Sequence, residues 1–161
     1  MLAALLGAGL TFVTPDGWTS TPPASSMRVA EFTLPQAPGD GEDAQLAVYD
    51  FGGSGGSVDA NIQRWIGQIE QADGKPSSAV AKKELRKVNG LTVSLVDLSG
   101  TYTAEMAPGS AAHNNKPHFR MRAGVVETPG GPYFIKLTGP EKTIAKWDAA
   151  FNQFVSSLKA Q

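Results

Sequence analysis

A chain of 161 residues, 41% of them hydrophobic and 18% charged, has the size and composition of one globular domain with an apolar core. The 14 lysines and arginines against 15 acidic residues give a net charge of −1, so the domain as a whole has no electrostatic attraction to nucleic acid. The sequence contains no cysteine, which excludes disulfides, thiolate metal sites and cysteine nucleophiles.

Residues 1–9 are mostly apolar and include several small residues, a pattern typical of the end of a secretory signal peptide. The apolar run is far shorter than the ~20 residues that a helix needs to cross a bilayer, so no membrane span is predicted. The pattern favours an exported protein, periplasmic or extracellular, with a single domain over residues 10–161. The alternative is that residues 1–9 are a disordered end or extend the first strand.

The first third of the domain predicts three strands. LTFV (10–13) is followed by the turn TPDGW, and MRVAEFTL (27–34) alternates with a change of phase, which indicates a β-bulge or two buried faces. QLAVYDF (45–51) is apolar on both faces and is therefore predicted to lie inside the sheet.

A Gly/Ser run (52–57) then leads into a predicted helix, in which apolar side chains recur at helical spacing from Val58 to Ile69. Ser57 or Asp59 can cap its first turn, and the segment ADGKP (72–76) is expected to end it.

Two hairpins and a helix complete the chain. Asn89-Gly90 between VAKKELRKV and LTVSLVDLSGTYT predicts the first hairpin, and FRMRAGVVE (119–127) with PYFIKLT (132–138) predicts the second. Residues 140–160 carry a broad apolar stripe at helical spacing, with Thr138 and Glu141 at the spacing of a capping box. The order predicts one α+β domain, with a single antiparallel sheet of about six to seven strands packed by two helices.

The opening TFVTPDGW resembles the strand followed by P-x-G-W that begins PsbP-like domains, and the order of strands and helices is similar to that fold over nearly the whole chain. GGSGGSVDANIQRW and GGPYFIKLTGPEKT are similar to segments of uncharacterised, exported bacterial proteins. The resemblance implies an α/β/α sandwich. It also implies a binding or assembly module that needs no cofactor and has no catalytic residues.

The Gly/Ser run offers one candidate site. Gly53, Ser54, Gly55, Gly56 and Ser57 precede a helix, where backbone N–H groups and the helix dipole favour an anion. Neither the P-loop pattern nor the dinucleotide-binding spacing is present, however. A flexible connector is therefore favoured, with an anion or ligand site as the alternative.

Basic side chains on the strands offer a second candidate surface. Arg120 and Arg122 project from one face of their strand, and Lys136 lies on the strand predicted to pair with it. With the basic residues of the first hairpin they could form a ligand or partner surface. The alternative is that the lysines at 82, 83 and 87 protect an edge strand from aggregation.

The loop 104–118 carries the third candidate, a metal site. It holds His113, His118 and Met106, and imidazole and thioether groups suit copper, with zinc as another possibility. The H-x4-H spacing matches no compact metal motif, so the two histidines would have to converge on a third ligand.

No serine-nucleophile motif occurs, so an enzyme is not the favoured interpretation. The favoured hypothesis is a non-catalytic, extracytoplasmic binding or assembly module. Its partner would be a protein or a small ligand rather than nucleic acid. The alternative is a small metal-binding or hydrolytic protein that uses the His113/His118 loop.

Overall fold

The computed structural model describes residues 3–6, 9–53 and 55–161 and has an α+β fold in which antiparallel strands dominate. The helices are α1 (Val58–Ile66), α2 (Glu141–Lys146) and α3 (Asp148–Ser156), with a short 3₁₀ turn at Ser77–Ala79. The strands are β1 (Ala3–Leu6), β2 (Leu10–Val13), β3 (Thr19–Thr21), β4 (Arg28–Leu34), β5 (Ala44–Tyr49), β6 (Ile69–Glu70), β7 (Lys82–Val88), β8 (Leu91–Tyr102), β9 (Lys116–Thr128), β10 (Gly131–Pro140) and β11 (Lys159–Ala160).

The main sheet has 8 strands in the order β3-β4-β5-β10-β9-β8, with β6 and β7 both paired to the outer edge of β8. Strands β1, β2 and β11 form a second, 3-stranded sheet. The expectation of a single sheet of six to seven strands is therefore wrong. Strands β3, β6 and β11 have 3, 2 and 2 residues, too few to show a readable alternation.

The predicted strand features are confirmed. The pairing of β4 with β5 shifts register between Arg28 and Ala30, so Val29 is the extra residue of a β-bulge. Strand β5 lies inside the sheet, between β4 and β10. The first hairpin turns at Asn89 and Gly90, both with positive φ (49° and 82°), as a two-residue hairpin turn requires.

The C-terminal region differs from its prediction. The expected single helix is interrupted at Trp147, whose backbone leaves the helical region (φ −103°, ψ 10°) while its indole donates a hydrogen bond to the Pro35 carbonyl, 2.8 Å away. Helix α2 begins after Pro140 without a side-chain cap, because Thr138 is still part of β10. The predicted capping box with Glu141 is therefore wrong.

The main sheet has a separate apolar core on each face. One face, called here the α3 face, is covered by α2, α3 and strand β2, with Phe12, Phe151 and Phe154 fully buried. The opposite face, called the α1 face, is covered by Ile62 and Trp65 of α1 packed over β8, β9 and β10. None of the helices in the described residues has the length and hydrophobicity that a membrane crossing requires.

A candidate ligand cleft on the α1 face

A cleft of about 990 Å³ opens on the α1 face, where α1 leaves part of the sheet uncovered. Its floor includes Ala47 of β5 and Phe134 of β10, and residues 103–108 form one of its walls. Met27 and Met106 line it with 55% and 66% of their surface exposed. Exposed large apolar side chains beside a concavity are typical of a binding site rather than of a closed core.

Aromatic rings make up much of the cleft lining. Tyr49 and Phe51 stack with ring centroids 5.7 Å apart, and Phe51 lies 5.2 Å from Phe134. The Trp65 ring meets Phe134 edge-on at 6.5 Å. These contacts hold the rings against the sheet, with Trp65 and Phe134 buried and the rings of Tyr49 and Phe51 partly exposed in the cleft.

Lys136 is the most unusual residue in the cleft, because it is a lysine on an interior strand of the sheet. Its Nζ donates hydrogen bonds to Gln68 Oε1 at 2.6 Å and to Tyr102 Oη at 2.9 Å. Burial, reinforced by the positive charges of Arg64 and Arg28, lowers the pKa of Lys136 to about 8. Burial also raises the pKa of Tyr102 to about 12, so its hydroxyl keeps its proton at neutral pH.

Two arginines complete a cationic group in the cleft. Arg28 forms an ion pair with Glu31, and its guanidinium carbon lies 5.4 Å from the centroid of the Tyr49 ring. Arg64, on the exposed side of α1, lies over the Trp65 ring at 6.0 Å. Within the described part of the chain, neither Arg64 nor Lys136 forms a salt bridge with a carboxylate.

The structure places Arg120 and Arg122 on the other side of the sheet. Arg120 donates to both carboxylate oxygens of Asp97 (2.9 and 2.8 Å) and to Asp148 (2.9 Å), and Arg122 donates to Asp148 at 3.0 Å. Their side chains are only 17% and 11% exposed. Hydrogen bonding to Asp97 raises the pKa of Arg120, which keeps its charge fixed in this network.

Lys136 therefore does not share a surface with these two arginines. In the β9–β10 pairing Leu137 is opposite Arg122, whereas Lys136 is opposite Ala123. Since successive strand residues point to opposite faces, this offset of one residue places Lys136 on the α1 face and Arg122 on the α3 face. The candidate surface predicted from the sequence is thus divided, and only Lys136 lies in the cleft.

The Gly/Ser run is a packed turn in the residues that the structure describes; Ser54 lies outside them. Ser57 caps α1 as predicted, because its Oγ accepts a hydrogen bond from the Ala60 N–H at 3.1 Å. The N–H of Gly52 donates to Asp50 Oδ1 at 2.9 Å. These two N–H groups, which flank the candidate residues 53–57, are therefore already bonded within the turn.

The same turn holds α1 against the sheet. Asn61 of α1 is buried and donates to the carbonyl oxygens of Gly55 and Ser57, at 2.7 and 2.8 Å. A methyl group on Gly55 would lie 2.5 Å from the Phe134 ring, so only glycine fits there. Gly53 and Gly56 have positive φ (87° and 84°), the region that glycine adopts without strain.

The two histidines of the metal hypothesis have different environments. His113 lines the cleft, as Met106 does, and its Nδ1 lies 3.0 Å from the Thr103 carbonyl oxygen. His118 lies in β9 with φ 56°, at the bulge opposite Gly100 and Tyr102, and is exposed. The described ranges contain no group of three His, Asp or Glu side chains that could hold a metal ion.

Sequence reasoning missed most of the cleft, although two signals pointed to it. The phase change in β4 is the bulge that turns Arg28 to the face of Tyr49, its partner in β5. The other signal was Lys136, which lies between apolar neighbours in PYFIKLT. A charged residue is rare on an interior strand and often belongs to a functional site.

Comparison with known proteins identifies the fold. No protein-family model matches the chain, and a search of curated proteins found no match. A Pseudomonas aeruginosa protein of unknown function, PA94, described only as a candidate regulator, superposes with a TM-score of 0.55 at 14% identity over 89% of this chain and 97% of its own. Cyanobacterial PsbP (CyanoP) from Synechocystis superposes with a TM-score of 0.53 at 14% identity, over 96% of this chain and 88% of its own. Identities this low show the fold alone, and the chain therefore has the PsbP-like fold that its sequence resembles.

Proposed function

We propose that this protein is a non-catalytic, extracytoplasmic binding module that takes a small ligand in the cleft on the α1 face. The observation that carries the proposal is the cleft itself, where α1 leaves an interior part of the sheet uncovered and aromatic side chains contribute to the lining. Its volume of about 990 Å³ is at the upper end of the range for small-molecule sites. A mostly apolar lining with a few convergent polar groups is typical of such sites.

The titratable groups of the cleft suit binding better than proton transfer. With a pKa of about 8, Lys136 is mostly protonated at pH 7. With a pKa of about 12, Tyr102 keeps its hydroxyl proton. Both groups therefore act as hydrogen-bond donors at neutral pH. Neither is suited to act as a general base, because a general base must accept a proton.

The extracytoplasmic part of the proposal rests on the resemblance of GGSGGSVDANIQRW and GGPYFIKLTGPEKT to segments of exported bacterial proteins, and is tested separately. An antibody raised against the purified domain should detect the native protein in the extracytoplasmic fraction of the cells that produce it. Recovery with the cytoplasmic fraction would contradict this location and leave the cleft proposal intact.

The ligand cleft is tested by screening a fragment library against the ¹⁵N-labelled protein by NMR. Bound fragments should shift amide signals of the cleft lining, and Ala47→Trp on the cleft floor should abolish these shifts. Ala149→Trp, on the exposed side of α3, is the matched control and should bind as the parent does. Gln45→Trp, at an exposed lining position, serves as a second block that does not disturb the core. Shifts confined to other surfaces, or no binding at all, would overturn the proposal.

A further inference from the structure

We propose that the ligand carries an anionic headgroup, a carboxylate or a phosphate, on an apolar body, and that Lys136, Arg28 and Arg64 hold that headgroup. This inference rests on the proposed function and adds the chemical class of the ligand. It is carried by the geometry and the charge balance of the cleft.

The cleft has more positive charge than its carboxylates neutralise. Arg28, Arg64 and Lys136 line it, together with one carboxylate, Glu105. Glu31 forms an ion pair with Arg28, whereas Glu105 accepts a hydrogen bond from the Gly109 N–H and forms no salt bridge with the three cations in the described residues. Three positive charges therefore face two carboxylates. Burial is the main cause that lowers the pKa of Lys136, and the positive charges of Arg64 and Arg28 lower it further, so the three cations lie within electrostatic range of one another. Partial burial weakens the screening of this repulsion by water. An anion bound among the three groups would reverse the unfavourable interaction.

Hydrogen-bond donors are available for such an anion. The ammonium group of Lys136 has three N–H donors, and its bonds to Gln68 and Tyr102 occupy two of them. The Tyr102 Oη accepts a hydrogen bond from Lys136 Nζ at 2.9 Å, so the hydroxyl proton remains available to donate to an anion. Two adjacent donors and two nearby guanidinium groups match the oxygens of a carboxylate or a phosphate.

The apolar body of the ligand is inferred from the rest of the lining. Tyr49 and Phe51 are partly exposed aromatic residues of the lining, and Met27 and Met106 are unbranched side chains at exposed positions. Methionine adapts to ligands of different shape because it has three rotatable bonds and a polarisable sulfur. A purely polar anion would leave this surface exposed to water.

The test is calorimetric titration of the full chain with octanoate, octyl phosphate and octanol, which share an alkyl chain and differ in headgroup. NMR shift mapping places each bound probe. We expect at least one anion to bind in the cleft about tenfold or more tighter than octanol, the ratio typical of a charged hydrogen bond. Binding of octanoate alone or of octyl phosphate alone supports the inference and identifies the headgroup.

Variants connect this binding to named residues. Lys136→Met should weaken anion binding about 10- to 100-fold and leave octanol binding unchanged. Arg64→Met should weaken it by a smaller factor, and because Arg64 is exposed this variant carries little risk to folding. Lys82→Met, on the exposed edge strand β7, is the matched control and should bind as the parent does.

The outcomes separate this inference from the proposed function. If octanol binds as tightly as the anions, or if Lys136→Met binds them as the parent does, the inference is wrong. If neither anion binds while the fragment screen finds neutral ligands in the cleft, the inference also fails and the proposed function stands. If no probe and no fragment binds in the cleft, both fail.

Discussion

The two faces of the main sheet each carry a group of basic side chains, and the two groups differ in how their charge is neutralised. On the α3 face, Arg120 and Arg122 share the carboxylates of Asp97 and Asp148, all within one hydrogen-bonded network. On the α1 face, Glu31 pairs with Arg28, while Lys136 donates only to uncharged groups.

This difference indicates two different roles. A charge that serves the fold is best buried together with its counter-ion, because an unpaired buried charge is destabilising. The α3 face follows this rule, and its network joins the first turn of α3 to β8 and β9. The α1 face departs from this rule at the cleft. Partly buried positive charge without a protein counter-ion is expected there if a ligand supplies the counter-ion.

The two faces should differ most in how much stability is lost when an apolar side chain is truncated. Phe154→Ala on the α3 face should lower the free energy of unfolding by about 4 kcal/mol, because it leaves a cavity in a closed core. Phe154 is fully buried, with its ring centroid 4.8 Å from Phe12 and 5.3 Å from Trp18. Met106→Ala, at the open cleft, should change it by less than about 0.5 kcal/mol. Urea denaturation measures both, and equal losses would contradict the contrast.

The ion network of the α3 face should contribute less than its aromatic core. Asp97→Ala leaves Arg120 and Arg122 short of a counter-ion and should lower stability by about 2 kcal/mol, discounted for the partial exposure of the carboxylate. Glu84→Ala breaks an exposed pair with Arg86 and is the control, with little change expected. An Asp97→Ala variant as stable as the parent would show that the network has no structural role.

The turn that anchors α1 predicts a contrast between two of its glycines. Gly55→Ala should destabilise by about 2 kcal/mol, because its methyl group would collide with the Phe134 ring. Gly53 has open space around it, so Gly53→Ala should cost only about 1 kcal/mol of backbone strain at positive φ. Thermal unfolding of both variants tests this order. The reverse order would contradict the packed-turn description.

Replacing Lys136 should change the free energy of unfolding least, and it should stabilise the protein, whereas the other substitutions destabilise it. Its pKa is lowered from 10.5 to about 8 in the folded protein, so the unfolded chain binds the proton more tightly between these values. The stability of the parent should therefore rise with pH from about 8 towards 10, while Lys136→Met lacks this rise. The shift corresponds to about 3 kcal/mol at pH 7, and the loss of the hydrogen bonds to Gln68 and Tyr102 offsets about 2 kcal/mol of it. The variant should therefore be more stable than the parent by about 1 kcal/mol at pH 7.

Comparing the pH dependence of stability between the parent and Lys136→Met isolates the contribution of Lys136, because the neighbouring titratable groups contribute equally to both proteins. The arginines keep their charge, and Tyr102 has a pKa of about 12 in the fold, so both proteins share their contributions. Lys82→Met is again the control, and its profile should follow that of the parent. Parallel profiles for Lys136→Met and the parent would show that Lys136 titrates normally.

Much of the fold could be predicted from the sequence, because its signals are local. Asn89-Gly90 specifies a hairpin through two positive φ angles. The change of phase in the apolar alternation of β4 predicts the bulge at Val29. The interruption at Trp147 could not be predicted, since it follows from a hydrogen bond to Pro35, which is 112 positions away along the chain.

The cleft could not be predicted for the same reason. Arg28, Arg64 and Lys136 come from β4, α1 and β10, which only the sheet order and the placement of α1 bring together. Arg120 and Arg122 are visible in the sequence as alternating basic residues, but their neutralisation by Asp97 and Asp148 depends on register and on α3. The two groups of basic residues look alike in the sequence. They differ in whether the fold places carboxylates beside them.

The most direct test of this account is to measure the pKa of Lys136 by NMR, through its ε-carbon, in the free protein and with octanoate added. The account predicts a pKa of about 8 in the free protein and a clear rise when the anion binds, because an opposite charge favours the ammonium form. A pKa near 10.5 without ligand, or one that octanoate binding leaves unchanged, would contradict it.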